Sequence, residues 1–366
     1  NNTATEPRNQ FSIPYGTAGV RPRWRQSMRT PPLRLGLVGC GRIMEQGHAP
    51  ALERIPQVWR VSSVSDPNLD RRTLLGERFE VPETARFDSI TELLRSGVAD
   101  ALDIAVPHSF HTDMCIEAAQ AGMPFLSEKP LATSLHDAEK VIAAVKRYNV
   151  IAGIMHNYVN QPRFIAARNA IEEGRIGTPF LFRMEDMASR WYSGTEAYDP
   201  HWRSRMSTAG GGALLDNGYH NLYASEAILQ SPATEVFARV GTHVQKQDVD
   251  DTAMVVLGHA SRATSMVLAA WSAASAAGVN EVHGTHGSIR LDSDVPVLHT
   301  DDKSEPLNVP PSADTHGFEP IFSNFAQTIL DGRPPLHTLA DGYRNLQIVM
   351  AAYDSADKAR MVRLTH

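Results

Sequence analysis

Short apolar runs alternate with longer helix-like stretches between residues 33 and 155. Runs of this length are typical of strands buried on both faces of a sheet, and the stretches between them are long enough for helices. Strands that alternate with helices form βαβ units, which build a parallel sheet covered by helices. We therefore predict an α/β domain here. Its main strands are 33–38, 60–65, 101–106, 124–127 and 150–155, and its helices end near 54, 79, 96, 121 and 148.

The pattern changes after residue 155, where a helix over 160–174 and a strand over 179–187 precede a glycine run. Several strand-like runs with short connections follow, and short connections favour antiparallel neighbours. Residues 266–270 are apolar at every position, so another subunit is expected to cover one face of this second sheet. The predicted strands are 233–242, 252–259, 263–272, 279–284 and 287–292, and the helices are 213–229, 318–331 and 339–360.

Composition and charge narrow the classes of protein that fit. A formal charge of −6 and a pI near 6.2 argue against a nucleic-acid-binding protein, which normally carries a basic face. Basic residues concentrate in 1–31, a polar segment without periodicity that we interpret as an arm. No apolar run is long enough to span a membrane, and no secretory signal is visible. Cys40 and Cys115 lack metal or disulfide spacing, so we expect buried free thiols in a cytoplasmic protein.

The turn after the first predicted strand is typical of a phosphate-binding loop. Gly39 would make the tight turn, and Gly41 would let the backbone approach a pyrophosphate at the helix N-terminus. Arg42 and Ile43, which begin that helix, are included in the predicted cofactor site. The sixth position of the G-x-G-x-x-G fingerprint is Met44, so an ordinary glycine turn is the alternative.

Asp66, at the end of the next predicted strand, bears on the choice of cofactor. A carboxylate there can accept hydrogen bonds from ribose hydroxyls and would repel a 2′-phosphate, which favours NAD over NADP. Arg71 and Arg72 could reach such a phosphate instead, although a solvated helix face is the simpler interpretation for both. Asp66 could also cap the helix that follows Pro67.

Motifs along the chain together carry a family resemblance. Six motifs follow one another in this order: Gly36-Leu37-Val38-Gly39-Cys40-Gly41, Val106-Pro107-His108-x-x-His111, Glu128-Lys129-Pro130, Trp202-Arg203, Gly210-Gly211-Gly212-Ala213-Leu214-Leu215-Asp216-x-Gly218-x-His220 and Asp331-Gly332-Arg333-Pro334-Pro335. From about residue 33 to its end, the chain resembles the glucose–fructose oxidoreductase/inositol dehydrogenase/rhizopine-catabolism (Gfo/Idh/MocA) family. The extension 1–31 lies outside the resemblance.

The resemblance implies a Rossmann domain over 32–152 and a substrate-binding α+β domain over 153–366. The second domain would have a large, mostly antiparallel open sheet, through which such proteins commonly form homodimers or homotetramers. It also implies NAD-dependent oxidation or reduction of a sugar, cyclitol or related polyol.

Lys129 is the first candidate for the chemistry. It follows a predicted strand, at the sheet edge where such proteins bind their ligands. We include Lys129, Glu128, Pro107 and His111 in the predicted cofactor site and Lys129 in the predicted substrate site as well. Hydride transfer at a hydroxyl carbon needs a group that handles the hydroxyl proton. The ammonium could hydrogen-bond the reacting oxygen or lose its proton and act as the base, and a solvated lysine is the alternative. The Lys129–Pro130 peptide bond could be cis.

Asp216 and His220 are four residues apart, so on a helix they share one face. In the resembling family these two positions line the substrate pocket. We predict His220 as the general acid/base, because imidazole titrates near neutral pH, with Asp216 orienting it or binding a substrate hydroxyl. A solvent-facing pair is the alternative.

Aromatic and basic residues complete the predicted substrate pocket. Trp191 and Arg203 precede the glycine run; aromatic faces stack on sugar rings, and arginine donates to hydroxyls or carboxylates. Tyr158 is a weaker candidate. His111 either contacts the nicotinamide half of the cofactor or caps the helix that begins there. The remaining histidines show no ligand spacing, so no metal is predicted.

The sequence thus predicts an NAD-dependent oxidoreductase that acts on a sugar, aminosugar or cyclitol. An NAD-dependent glycosidase of the same family would use the same Lys129, Asp216 and His220, so it stays an alternative. A non-catalytic sensor is a third interpretation, against which intact Lys129 and His220 argue.

Overall fold

The computed structural model describes residues 30–187, 200–274, 278–301 and 303–364. Its first part contains strands β1 (Leu33–Val38), β2 (Trp59–Ser65), β3 (Arg86–Phe87), β4 (Ala101–Ile104), β5 (Phe125–Ser127) and β6 (Ala152–Ile154). In the described residues these strands form one parallel sheet in the order β3-β2-β1-β4-β5-β6, the Rossmann order. The predicted parallel sheet is confirmed.

The helices of this part are α1 (Ala49–Arg54), α2 (Leu69–Arg78), α3 (Ile90–Ser96), α4 (His108–Gln120) and α5 (Leu135–Tyr148). A π-helical turn, Met44–His48, leads directly into α1. The side chain of Asn68 caps α2 by accepting hydrogen bonds from two main-chain N–H groups. The interpretation of Asp66 as this cap was therefore wrong, because the helix begins two residues later than that role requires.

The second part is built around a mixed sheet. Its strands are β7 (Pro179–Met187), β8 (Ala233–Gly241), β9 (Thr252–His259), β10 (Thr264–Ala270), β11 (Asn280–Gly284), β12 (Gly287–Arg290), β13 (Val297–His299), β14 (Ser304–Pro306) and β15 (Val362–Arg363). In the described ranges the order is β14-β13-β12-β11-β7-β10-β9-β8-β15. Neighbours pair antiparallel except β7 and β10, which pair in parallel, so the predicted mostly antiparallel sheet is confirmed.

Helices cover one face of this sheet, and among the described residues side chains on the other face are partly exposed. The helices of this part of the chain are α6 (Pro162–Glu172), α7 (Met206–Ala209), α8 (Tyr219–Leu229), α9 (Glu319–Asp331) and α10 (Leu339–Lys358), of which α8 and α10 lie on the sheet. Helix α8 packs on β7 and α10 on β8, and inward residues such as Val267 are fully buried. On the outer face Met254 keeps 36% and Phe237 37% of its surface exposed. Burial therefore alternates over residues 266–269 within one chain, and Ala270 is buried as well.

Helix α9 returns to the first domain. Phe318 and Phe322 join the same buried cluster as the residues of β1. The indole Nε1 of Trp59 donates a hydrogen bond to the carbonyl of Phe322 at 2.9 Å. The cofactor-side helix α1 is thus held between the Rossmann sheet and a helix from the far end of the chain.

Cys40 and Cys115 are buried free thiols, as predicted. Within the described ranges, no helix is both long and apolar enough to cross a bilayer. The same ranges contain no group of three or more His, Cys, Asp or Glu side chains arranged to hold a metal ion.

Candidate active site

The glycine turn after β1 has the shape that a pyrophosphate needs. Gly39 has φ +86°, and a Cβ there would lie 2.4 Å from the carbonyl oxygen of Ala105. Only glycine fits this position, since both the backbone angle and the neighbouring main chain exclude a side chain. At Gly41, by contrast, no atom lies within 4 Å of where a Cβ would be. Open space therefore borders the turn at the position predicted to face the phosphates.

Asp66 lies beside this turn at the carboxyl end of β2. One carboxylate oxygen accepts a hydrogen bond from the Cys40 N–H at 2.7 Å, and the other accepts from the Asn68 N–H at 2.8 Å. Each carboxylate oxygen can accept more than one hydrogen bond, so capacity for ribose hydroxyls remains. The residues present therefore fit a dinucleotide.

Arg71 is not part of a solvated helix face, and that interpretation was wrong. It is buried, and it donates to the Cys40 carbonyl at 2.8 Å and to the Glu45 carboxylate at 2.6 Å. Arg72 donates to the main-chain carbonyls of Asp66 and Pro67. Helix α2 packs against the glycine turn, which the helix pattern alone does not reveal. The Arg71 guanidinium thus holds the glycine turn, and the Arg72 guanidinium holds the segment after β2 that carries Asp66.

Three further residues of the predicted cofactor site lie near the turn or after β4. Arg42 donates from Nε to Gln46, and Ile43 is 37% exposed. Pro107 immediately precedes α4 and is half-buried. Contact of these residues with a cofactor stays a prediction.

Lys129 and Asp216 meet between the part of the chain with the parallel sheet and the part with the mixed sheet. Lys129 follows β5, and Asp216 lies on a π-helical turn, Leu214–Gly218, that leads into α8. The Lys129 Nζ lies 2.5 Å from the Asp216 Oδ1 and 3.0 Å from its main-chain carbonyl oxygen. The Lys129–Pro130 peptide bond is cis, as predicted.

Asp216 is held by two cations. Its second oxygen accepts from Arg203 Nε at 2.9 Å, and the Arg203 guanidinium lies over the Trp202 ring, 4.2 Å from its centroid. Burial would raise the pKa of Asp216, but the charges of Lys129 and Arg203 lower it well below its usual range. Asp216 is therefore an anion that fixes the Lys129 ammonium. Its carboxylate binds these two cations, and the ring of His220 has Tyr223 as its hydrogen-bond partner. The alternative in which Asp216 orients the imidazole through a hydrogen bond was therefore wrong.

His220 is buried between two tyrosines. Its Nδ1 lies 2.9 Å from the Tyr223 hydroxyl, which also accepts a hydrogen bond from the Tyr158 N–H at 3.0 Å. The Tyr158 ring stacks on the imidazole at 4.1 Å with a 12° tilt. Burial, and then the charge of Lys129, lower the pKa of His220 well below its ordinary value. The imidazole is therefore neutral at neutral pH.

His111 and Glu128 lie behind the cleft surface. His111 is fully buried, with one ring nitrogen 2.6 Å from the Pro130 carbonyl oxygen and the other 2.8 Å from that of Val106. It lies inside α4 and ties two loops together, so the alternative in which it caps that helix was wrong, and its contact with the nicotinamide half of the cofactor stays a prediction. The Glu128 carboxylate accepts from the Lys129 N–H at 3.0 Å. Both residues shape the segment that carries Lys129.

Several site residues were not predicted from the sequence. His108 lies 4.0 Å from Asp216 and packs edge-on against Trp202. Asn217 donates to Asp186 on β7 at 2.8 Å, and its amide oxygen accepts from the indole of Trp271 at 2.8 Å. Tyr223 could have been found from its i+3 spacing to His220. Trp191, predicted to bind substrate, lies outside the described residues.

Two family models match the chain. Residues 33–156 match the model described as "Oxidoreductase family, NAD-binding Rossmann fold". Residues 164–290 match the GFO/IDH/MocA C-terminal domain. The two matches cover the glycine turn, Lys129 and the Asp216–His220 helix.

Several characterised proteins are similar to this chain over most of its length. Levoglucosan dehydrogenase of Pseudarthrobacter phenanthrenivorans is 29% identical, with 87% of each chain covered. Myo-inositol 2-dehydrogenase of Thermotoga maritima is 27% identical, covering 91% of this chain and 98% of that protein. A levoglucosan dehydrogenase structure in complex with NADH and levoglucosan shares the fold at a TM-score of 0.81 and 23% identity, covering 91% of this chain and all of that one.

Proposed function

The chain belongs to the Gfo/Idh/MocA oxidoreductases with an NAD-binding Rossmann domain, and on that premise we propose that it transfers a hydride between NAD and a hydroxyl carbon of a sugar, aminosugar or cyclitol. The observation that carries this proposal is the contact of Lys129 with Asp216, formed between the two domains with His220 nearby. Relatives that act on levoglucosan and myo-inositol support the substrate class.

The cofactor would be held by the glycine turn and Asp66. The main-chain N–H groups that follow Gly41 would meet the pyrophosphate, and Asp66 would accept hydrogen bonds from the adenosine ribose. Bound there, NAD supplies the hydride acceptor. With Arg71 and Arg72 engaged by protein carbonyls and Glu45, and a carboxylate at 66, the site favours NAD over NADP.

Lys129 would contact the reacting oxygen. Its ammonium, held by Asp216, donates a hydrogen bond to that oxygen and stabilises the alkoxide character that develops as the hydroxyl proton leaves and the hydride is transferred to the cofactor. Arg203 supplies a second positive charge to Asp216, so Asp216 stays ionised throughout. The lysine is thereby oriented before substrate binds.

His220 would take the hydroxyl proton. With its proton on Nδ1, the ring donates to the Tyr223 hydroxyl, and Nε2 accepts the proton from the substrate. The stacked Tyr158 ring limits rotation of the imidazole. In the reductive direction the same nitrogen returns the proton.

A panel of sugars, aminosugars and cyclitols, each with NAD or NADP, tests the proposal through the absorbance of the reduced nicotinamide. We expect net reduction with at least one member of the panel and faster reduction with NAD. Absence of reduction with every member would contradict the proposal. Glycosidic cleavage without net cofactor change would assign the glycosidase reaction instead.

Substitution of Gly41 by alanine separates cofactor binding from folding. Since nothing lies within 4 Å of the added Cβ, we expect the melting temperature to stay within about 2 °C of the wild type. The Cβ would occupy space proposed for the pyrophosphate, so the Kd for NADH should rise about tenfold or more, a loss of at least about 1.4 kcal/mol. NADH fluorescence titration and thermal melts measure both.

Gly39→Ala is the matched contrast. Its Cβ meets the Ala105 carbonyl at 2.4 Å and its φ is positive, so it should lower the melting temperature as well as binding. Unchanged NADH affinity in Gly41→Ala would mean that the dinucleotide does not approach this turn.

We also propose that the open face of the second sheet joins copies of this chain into a homodimer or homotetramer. Met254, Phe237, Met266 and Leu268 share this outer face and are at least partly exposed in one chain. Apolar patches of this kind mark interaction surfaces. On this face the apolar side chains of neighbouring strands lie side by side, which is the kind of patch that a two-fold interface can bury against its own copy.

Met254→Glu should convert the oligomer to a monomer. The new carboxylate would lie beside Arg239 on the neighbouring strand, so the folded monomer tolerates it, whereas an apolar interface does not. Light scattering after size exclusion gives the mass. Leu74→Glu, at a 41% exposed position on α2, is the control and should keep the wild-type mass. A monomeric wild type, or an unchanged mass in Met254→Glu, would contradict this interface.

A further inference from the structure

His48 connects two carboxylates in the interior of the Rossmann domain. It ends the π-helical turn that follows the glycine loop, and it is 0% exposed. Its Nδ1 lies 2.8 Å from Asp103 Oδ2, and its Nε2 lies 3.0 Å from Glu128 Oε1. Asp103 belongs to β4, and Glu128 directly follows β5. The imidazole thus joins the glycine-turn helix to both strands that lead toward the catalytic edge of the sheet.

Glu128 extends this connection to Lys129. Its Oε2 accepts a hydrogen bond from the Lys129 main-chain N–H at 3.0 Å, while Oε1 faces His48. The Glu128 N–H donates to the Ile104 carbonyl at 2.8 Å, which fixes the segment against β4. Each oxygen of Glu128 therefore has its own partner, and its orientation depends on both.

The surroundings of His48 favour a doubly protonated ring. A ring with a carboxylate at each nitrogen is satisfied when both nitrogens donate, which only the imidazolium can do. Burial lowers the pKa of His48, but Asp103 and Glu128 outweigh burial and raise it to about 10. Two uncharged rings also pack on the imidazole: those of Phe318 and Phe322, with centroids at 4.6 and 5.6 Å.

We propose that His48 is a positioning residue for hydride transfer, which holds the Glu128 carboxylate so that the Lys129 main chain, and with it the ammonium, stays in place at the cofactor edge. This inference rests on the proposed function. His48 itself is sealed from the cleft, so it acts through Glu128 and does not contact substrate or cofactor.

His48→Gln and Asp103→Asn form a matched pair of variants. Both alter the same buried network, so comparable losses of melting temperature are expected. Asp103→Asn keeps the His48–Glu128 contact, and its amide oxygen still accepts from Nδ1. His48→Gln cannot donate to both carboxylates at once, so Glu128 Oε1 loses the charged donor that His48 provides, while Oε2 keeps the Lys129 N–H.

The kinetic readout separates positioning from general stability. We expect His48→Gln to lower kcat by about 10- to 100-fold, because small misplacements of reacting groups have effects of this size, with sugar KM changed by less than about threefold. Asp103→Asn should lower kcat by less than about threefold. The double variant His48→Gln/Glu128→Gln, in which two amides can pair, should recover part of the loss in kcat.

Two results would overturn the proposal. The first is an equal loss of kcat in His48→Gln and Asp103→Asn, in proportion to the melting temperature that each variant loses. The second is a double variant with lower kcat than His48→Gln.

A readout without substrate keeps this inference separate from the proposed function. In protein labelled with ¹⁵N-histidine, the wild type at pH 7 should show two exchange-protected ring N–H signals that disappear in His48→Gln. A single ring N–H for His48 would refute the link between the two carboxylates even if sugar turnover is found. If the panel gives no turnover while both signals are present, the proposed function fails and the His48 link stands.

Discussion

Replacement of Lys129 by methionine is expected to lower kcat for sugar oxidation by about a thousandfold, which is the upper part of the range for loss of one donor that stabilises developing negative charge on oxygen. Methionine keeps the length and apolar stem of the side chain but cannot donate to the reacting oxygen. Asp216 retains Arg203 at its second oxygen, so the buried carboxylate is still paired in the variant. Steady-state kinetics with the best member of the panel measures the loss.

Lys140→Met is the control for this substitution. Lys140 pairs with Asp137 on α5 and is 50% exposed, so its loss should leave kcat within about twofold of the wild type, as surface ion pairs contribute little. NADH affinity should also be preserved in Lys129→Met, since the cofactor is held mainly by the glycine turn and Asp66. If Lys129→Met retained a tenth or more of the wild-type kcat, the assignment of Lys129 would be wrong.

His220→Gln is expected to lower kcat by about a hundredfold, again within the range for removal of a general base. Glutamine can occupy the space beside Tyr223 but cannot accept and release a proton. The binding contacts of the substrate change little, so KM should stay within about threefold. His299→Gln on β13, where the ring bonds to Ser304, serves as the control.

The pH profile gives a second test of His220. Because burial and Lys129 lower its pKa, the ring gains a proton only at a pH below the ordinary value of 6.5. Oxidation should therefore be independent of the His220 charge above about pH 6.5 and decline on the acid side as the base is protonated. This acid limb should be absent in His220→Gln. An unchanged limb in the variant would assign it to another group.

Local motifs were sufficient to single out residues that lie together in the structure, whereas the roles of these residues stay predictions. Lys129 follows the end of a strand, and Asp216 and His220 are four residues apart in a predicted helix. The family resemblance and the βαβ order together predict that these residues lie near one another. The glycine turn was also predictable, since Gly39 and Gly41 stand between a strand and a helix. The parallel sheet followed from alternating elements alone.

Features that depend on contacts between distant segments were not predictable. The side chain of His108 reaches the Ala209 carbonyl, and Asp186 reaches Asn217 from another element. No local pattern encodes such pairs. Arg71 was misjudged because helix periodicity does not say which neighbour a helix packs on. The parallel pairing of β7 with β10 and the return of α9 to the first domain have the same cause.

The two π-helical turns place a limit on how this protein can be stabilised. One ends in His48 and the other carries Asp216, and each accommodates one residue more than a regular helical turn. Deleting a residue from either turn would give a more regular helix, yet every side chain beyond it would rotate by about 100°. Replacing these turns by regular helix would thus raise thermal stability at the expense of activity. Stabilising substitutions should therefore be placed far from both turns.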